Sequence, residues 1–346
     1  MQQRTPIYED REKYIVGLKF KSPVHFGRYK DEDLARSGFW CGSDQLFSAM
    51  ANAFNLFYGK TETEAFLAEF RTGAPPVILS STFLMLEQTD TGAEPVYFLP
   101  KPCGLDLSAY FTDQKKAGKI AYLPHTVLEL LANSKFDGSI SEKYKPQGLF
   151  LVPKTCSEDL FVETECARVA LDSMTAASMI YYITTVTYVE SVGLYFMMDC
   201  RREWLAKIQT ALRVLGDEGL GGERSYGMGS FTIANFRPSP SWSVDGDEAL
   251  LLSAYYPSTQ ELRVMRTVAW EGRYRLREAG GYIYSGGDQG LRKKYLRVFA
   301  EGSVFGYKPV GQLLNVTPKG YNAHRVYRNC LAYTLPWNTA AQKGTG

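Results

Sequence analysis

Arg224, Ser225 and Tyr226 lie inside the run Gly219-Leu220-Gly221-Gly222-Glu223-Arg224-Ser225-Tyr226-Gly227-Met228-Gly229, where five glycines surround a guanidinium, a hydroxyl and an aromatic ring. Glycine reaches positive φ without steric penalty and lets another backbone approach, so the run is a candidate cradle for phosphates. The polar residues it carries suit a nucleic-acid backbone better than a free nucleotide. The competing reading is a flexible hairpin connection. No Gly-Lys-Ser/Thr follows, which excludes a P-loop. A helical pattern precedes the glycines and a strand pattern follows, the reverse of a Rossmann turn.

The elements that must position this loop can be read from spacing. Trp204, Leu205, Ile208, Leu212 and Leu215 predict a helix over 203–215 stopped by Gly216, and a strand is expected at 231–236. Upstream, a strand is expected at 14–20, broken by Ser22-Pro23. Ser43-Asp44 is expected to cap a helix whose stripe is Leu46, Phe47, Met50, Ala53, Phe54 and Phe57. Further strands are expected at 77–86, 96–99, 249–255, 282–285 and 302–307, with a short helix at 126–132. Segments 177–188 and 192–199 read as a hairpin turning at Glu190-Ser191. Strands and helices alternate with antiparallel returns, which predicts an α+β protein of two ferredoxin-like βαββαβ units rather than a doubly wound parallel sheet. Boundaries are expected at 1–160 for the first domain and 161–338 for the second, which carries the glycine-rich loop, with 339–346 a disordered tail.

A chain of 346 residues with 45% hydrophobic content can bury two cores. No apolar run is long enough for a membrane span and the amino terminus has no signal pattern, so a cytoplasmic protein without membrane contact is expected. The six cysteines show no zinc-ligand spacing and read as reduced thiols. Residues 1–200 carry 19 basic against 25 acidic side chains, and 201–346 carry 20 against 12. This sorting suggests a basic second part that binds a polyanion and an acidic first part, with Glu62, Glu64 and Glu69, that faces a protein. The densest basic stretch, Arg263 to Arg297, interleaves nine cations with Trp270, Tyr274, Tyr282, Tyr284 and Tyr295, a pattern that fits single-stranded RNA; Arg292-Lys293-Lys294 also reads as a solvated face.

Catalytic constellations are sparse. His25, His125 and His324 have no second ligand at metal spacing, and no Gly-x-Ser-x-Gly elbow occurs, so neither metal nor other cofactor is expected. Gly286-Gly287-Asp288-Gln289 lacks the second carboxylate of a two-metal turn. Asp31, Glu32 and Asp33 are either a solvated loop or a source of a general base.

Several segments together resemble the RAMP proteins of CRISPR effector complexes, and among them the fourth subunit of the type III-A Csm complex. They are Phe20-Lys21-Ser22-Pro23-Val24-His25-Phe26-Gly27, Gly42-Ser43-Asp44-Gln45-Leu46-Phe47, Arg168-Val169-Ala170-Leu171-Asp172, the glycine loop, Gly280-Gly281-Tyr282-Ile283, Glu301-Gly302-Ser303-Val304-Phe305 and His324-Arg325-Val326-Tyr327-Arg328. The resemblance implies two ferredoxin-like domains, no metal, and a non-catalytic RNA-binding subunit. Such a subunit caps the 5′ handle of CRISPR RNA (crRNA) beside the large polymerase-like subunit and the backbone RAMP subunit, and meets target RNA only indirectly.

The RNA-binding residues expected on this basis are His25, Phe26, Arg28, Ser43, Arg168, Met174, Gly219, Gly221, Gly222, Arg224, Ser225, Tyr226, Gly227 and Gly229. Arg168 and Arg224 are expected on phosphates, loop amides as a cradle, and His25, Phe26 and Tyr226 against bases. Ser173 stands where the family commonly has an arginine. A β-hairpin thumb is expected within 164–182, with Met174 and Met179 as wedges or as core. The alternative is a RAMP endoribonuclease, either a target-cleaving backbone subunit using Asp31 or Asp33, or a crRNA-processing enzyme.

Overall fold

The computed structural model describes residues 10–27, 36–88, 93–133, 140–171, 178–267, 273–283 and 290–339. Strand β1 (Arg11–Phe20) leads through short β2 (Phe26–Gly27) and β3 (Ser37–Gly38) to α1 (Ser43–Arg71), β4 (Val77–Leu79), β5 (Phe83–Leu86) and β6 (Val96–Pro100). Next come α2 (Gln114–Lys119), β7 (Tyr122–Pro124), α3 (His125–Ala132), α4 (Ile140–Lys143), β8 (Tyr144–Gln147) and β9 (Phe150–Pro153). Strands β10 (Phe161–Leu171) and β11 (Ser178–Tyr188) precede β12 (Val192–Arg201), α5 (Arg202–Glu218) and β13 (Phe231–Pro238). The last stretch holds β14 (Glu248–Leu251), α6 (Thr259–Thr267), β15 (Leu276–Ala279), β16 (Leu296–Phe299), β17 (Val304–Phe305), β18 (Gly311–Asn315), β19 (Tyr327–Leu331) and β20 (Thr334–Trp337).

The main sheet is mixed and nine-stranded, with the order β13-β1-β12-β5 at one end, β13 at the edge, and β4 also on β12. These neighbours are antiparallel. With α1 following β1 and α5 following β12, this is the strand order of a βαββαβ unit whose helices cross on one face. Alternate residues of β1 feed two cores: Tyr14, Val16 and Leu18 point into the cluster under α1 and α5, and Ile15 points into the cluster on the other face. Strand β12 divides likewise, Leu194, Phe196 and Met198 against Tyr195 and Met197. Burial on both faces explains why these strands read as weakly alternating apolar runs. Phe66 of α1 packs 5.4 Å from Trp204 of α5, ring centre to ring centre.

Several expectations are corrected here. The 160/161 boundary is crossed by the sheet, because β1 is flanked by β12 and β13 from beyond it. Segments 177–188 and 192–199 are strands but not a hairpin: β11 pairs with β10, whereas β12 pairs with β1, β4 and β5. Helix α5 continues past Gly216 to Glu218, with Gly219 as its C-cap at φ 85°. The 77–86 segment is two strands, and α1 runs on past Phe57 through a break at Gly59, where φ is 79°. The 282–285 expectation keeps one described bridge, Tyr282 to Arg292; Gly286–Gln289 and, apart from Thr339, the tail lie outside the described residues. Among the described residues no helix is long and apolar enough to cross a membrane.

Residues 248–337 form a second set of strands. Segment 248–256 has β17 and Phe299 of β16 on one side, and β20 with Cys330 of β19 on the other. This set is tied to the first by one buried ion cluster. Gly42 is the N-cap of α1, displacing the expected Ser43-Asp44 cap, and Gln45 Oε1 accepts from Gly42 N at 3.2 Å. Ser43 Oγ instead accepts from Ala254 N at 2.9 Å. Asp44, 1% exposed, accepts from Arg277 at 2.9 Å and from Arg328. Arg277 also pairs with buried Glu301 at 3.3 Å. A Cβ on Gly42 would lie 2.7 Å from the Asp44 carboxylate, so only glycine fits there.

Burial alone would raise the Asp44 pKa, but Arg277 and Arg328 outweigh it and hold the carboxyl far below the usual range. A folded-state pKa below the unfolded one stabilises above about pH 4, the unfolded carboxylate value, and that stabilisation is lost as pH falls toward the folded value. Asp44→Asn strands two arginines and is expected to destabilise the protein by about 3–5 kcal/mol at neutral pH. Urea unfolding should also show a smaller stability loss between pH 5 and pH 3 for Asp44→Asn than for the unmodified chain; equal acid sensitivity would show that Asp44 is not the group responsible.

Candidate nucleic-acid interface

The glycine loop follows α5 and wraps the segment 21–26. Gly222 N donates to His25 O at 2.8 Å, Gly229 N to Pro23 O at 2.9 Å, Gly219 N to Leu215 O and Gly227 N to Arg224 O. These four amides are consumed by the chain's own carbonyls, which corrects their expected role as a phosphate cradle. The glycines answer to close packing instead. A Cβ on Gly229, at φ 79°, would lie 2.2 Å from Leu220 O, and one on Gly221, at φ 112°, would lie 2.7 Å from His25 O. Gly227 differs, since its positive φ opens into free space beside exposed Ser225 and Tyr226.

His25 and Phe26 are walled in by this packing. His25 Nδ1 is 2.8 Å from Thr184 O of β11, and the ring lies under Gly222. Phe26, 2% exposed, packs edge-on to Phe20. Both are buried, as is Ser43, which is bonded to Ala254. Arg28, Asp31, Asp33, Ser173 and Met174 lie outside the described residues.

Arg168 and Tyr226 do meet. Strands β10 and β11 form one antiparallel hairpin from Phe161↔Tyr188 to Leu171↔Ser178, and Arg168 stands on it opposite Tyr181. The Arg168 guanidinium carbon lies 4.4 Å from the Tyr226 ring centre, with Nε 3.8 Å from the Glu223 carboxylate. Glu223 takes a left-handed φ of 57°, rare for a side chain with a Cβ, and the cation–π contact joins the loop to the tip half of the hairpin. Tyr226 remains 64% exposed, and Met179, Ile180 and Tyr182 stay bare along the hairpin. Met179 is thus surface rather than core.

Arg224 points elsewhere, into a groove of about 510 Å³ between the two strand sets. Asn52, Leu56 and Lys60 of α1 form one wall, and Lys293 and Arg325 stand across from them. Sequence reading singled out Arg224 and the 292–294 basic run but not Lys60, Arg325 or their meeting; the only local signal was Gly59, which breaks α1 beside Lys60. Other expected cations are spent internally. Arg273 pairs with Glu248, Arg275 donates to Glu301 O, and Arg277 holds Asp44. Of the acidic stretch, Glu62 pairs with Lys207 at 2.6 Å and Glu69 with Arg201 at 2.8 Å, while Glu64 lines the groove. Charges sorted along the chain are recombined by the packing of α1 on α5.

The glycine packing sets a ranking. Gly229→Ala meets both a positive φ and a backbone oxygen, and is expected to lower stability by about 3 kcal/mol or more, while Gly227→Ala should lose only about 1–2 kcal/mol from its φ. Denaturant melts of the two variants check this; equal losses would mean that the loop does not close on Leu220.

Comparison with known proteins follows the same geometry. Residues 244–337, the second strand set, match the family model of the CRISPR Csm4 C-terminal domain. Over 78% of its length the chain is 28% identical to the CRISPR system Cms protein Csm4 of Thermococcus onnurineus, of which 83% is covered. Over 92% it is 26% identical to the protein of the same description from Mycobacterium tuberculosis, of which 96% is covered. In fold it resembles a chain of the Csm3–Csm4 subcomplex of the type III-A CRISPR-Cas interference complex, with TM-score 0.65 at 18% identity, covering 94% of this chain and 99% of that one. It also resembles a chain of the Csm1–Csm4 cassette in complex with cA4, with TM-score 0.56 at 22% identity, covering 94% and 98%. In sequence and in fold, the chain is Csm4-like.

Proposed function

We propose that this chain is the crRNA-binding, non-catalytic subunit of a type III-A Csm interference complex. It holds the 5′ handle of crRNA between the backbone RAMP subunit and the large polymerase-like subunit. The observation that carries the reading is the groove in which Lys60, Arg224, Lys293 and Arg325 outnumber Glu64 and Glu218, with Arg224 on the same loop as the exposed Tyr226 that meets Arg168 of the β10–β11 hairpin. Clustered cations take phosphates, and unstacked bases find the tyrosine and the hairpin's apolar side chains. The Csm3–Csm4 and Csm1–Csm4 assemblies of its structural relatives support the two protein partners. In this reading β1-α1-β4/β5-β12-α5-β13 is one ferredoxin-like unit, residues 248–337 are a second, and the hairpin is a thumb projecting from the first. The division of the chain then falls between β13 and β14.

Arg224→Ala is expected to weaken binding of single-stranded RNA across sequences and to lower the salt slope by about 0.7, the value for one phosphate on a single strand. Filter binding at two ionic strengths checks this, and unchanged affinity and slope would remove Arg224 from the site. For the non-catalytic assignment, the assembled complex carrying Asp31→Ala with Asp33→Ala should cut target RNA in the same pattern as the unmodified complex. Loss of a cut would establish the ribonuclease alternative.

A further inference from the structure

Lys293 stands where the basic groove meets the buried ion cluster. It lines the groove opposite α1, its backbone fixed by Lys293 N donating to Gly281 O at 2.9 Å, while its side chain reaches toward Arg328 and Asp44. Asp44 already accepts from two arginines, so a third cation beside it gains little and is repelled by Arg328. An anion entering the groove would supply the opposite charge that this amine lacks.

We propose that Lys293 is a phosphate contact on the floor of this groove, and that its amine takes up a proton from the buffer when a phosphodiester of single-stranded RNA seats against it. The inference deepens the RNA-binding reading above and rests on it. Burial first, and Arg328 second, push the free ammonium down to about 8, with Asp44 opposing. The protein therefore spans neutral and charged Lys293 within the physiological range, and a bound phosphate favours the charged form.

The other titratable and charged groups facing this position are Lys60 and Glu64 from α1, Glu218 from α5, Arg224 from the loop, and His324, Arg325 and Tyr327 from the 323–327 wall. Arg277 and Glu301 stand behind Asp44. The nearby thiols stay protonated, with burial pushing Cys330 up to about 12 and Cys41 higher still. Because the bound form holds more protons, affinity is greatest below the free pKa and falls as pH rises through it.

The test is calorimetric titration of the full chain with a short single-stranded RNA, in two buffers of different ionisation heat. At pH 8 about half a proton should be taken up per RNA bound, and affinity should drop about tenfold from pH 7 to pH 9. Lys293→Arg, charged throughout and leaving every other group in place, should bind without proton uptake and with a flatter pH profile. Lys293→Met should bind more weakly at pH 7 and likewise take up no proton. RNA binding with no proton uptake by the unmodified chain, or with uptake unchanged in Lys293→Arg, overturns the inference and leaves the RNA-binding reading intact. Absence of RNA binding at every pH overturns both.

Discussion

A buried carboxylate joins the two strand sets at their polar seam, beside the apolar cluster that Ile15, Phe83 and Tyr195 share with Leu250, Leu252 and Val304. Asp44, in the first turn of α1, is buried and held between Arg277 and Arg328 from the far end of the chain, and Arg277 is steadied in turn by Glu301. A carboxylate out of water is tolerable only with this much compensation, and the guanidiniums equally need it. The geometry leaves no slack: Gly42 must lack a side chain, and Ser43 spends its hydroxyl on Ala254 of the opposite set. Since α1 forms one wall of the groove while Lys293 and Arg325 line it from the second strand set, the ion cluster joins the two elements between which Arg224 meets other cations.

The same economy of charge shows in how many cations are engaged within the fold. Lys207, Arg201, Arg273, Arg275 and Arg277 are engaged by carboxylates or a carbonyl within the fold. What reaches the groove is a smaller set drawn from four separate stretches of chain, Lys60, Arg224, Lys293 and Arg325. Net charge and its distribution along the sequence therefore say little about the field at the site. Folding pairs Glu62 and Glu69 of α1 with Lys207 of α5 and Arg201 at the end of β12.

In the glycine-rich loop one composition admits two roles. Arg168 meets Tyr226 of the loop, and Arg224 lines the proposed groove. Yet most of its glycines serve close packing against Pro23–Phe26 and Leu220, and their amides are already bonded. Positive φ and lack of a Cβ are required equally by a ligand's approach and by the chain's own, and composition does not separate the two. His25 and Phe26, which the sequence offers as base contacts, are the surface onto which the loop closes.

What the sequence determined by itself is local. The apolar spacing of α1 and α5 and the apolar character of β1 and β12 follow from periodicity acting over a few positions, whereas the hairpin around 164–182 is expected from the family resemblance alone. What only the tertiary structure decided is partnership: β1 between β12 and β13 instead of within an isolated first domain, β11 with β10 instead of β12, and Asp44 with arginines 233 and 284 residues away. Helix and strand periods are properties of neighbouring residues, whereas pairing, burial of charge and the meeting of cations in a groove depend on which distant segments exclude water together.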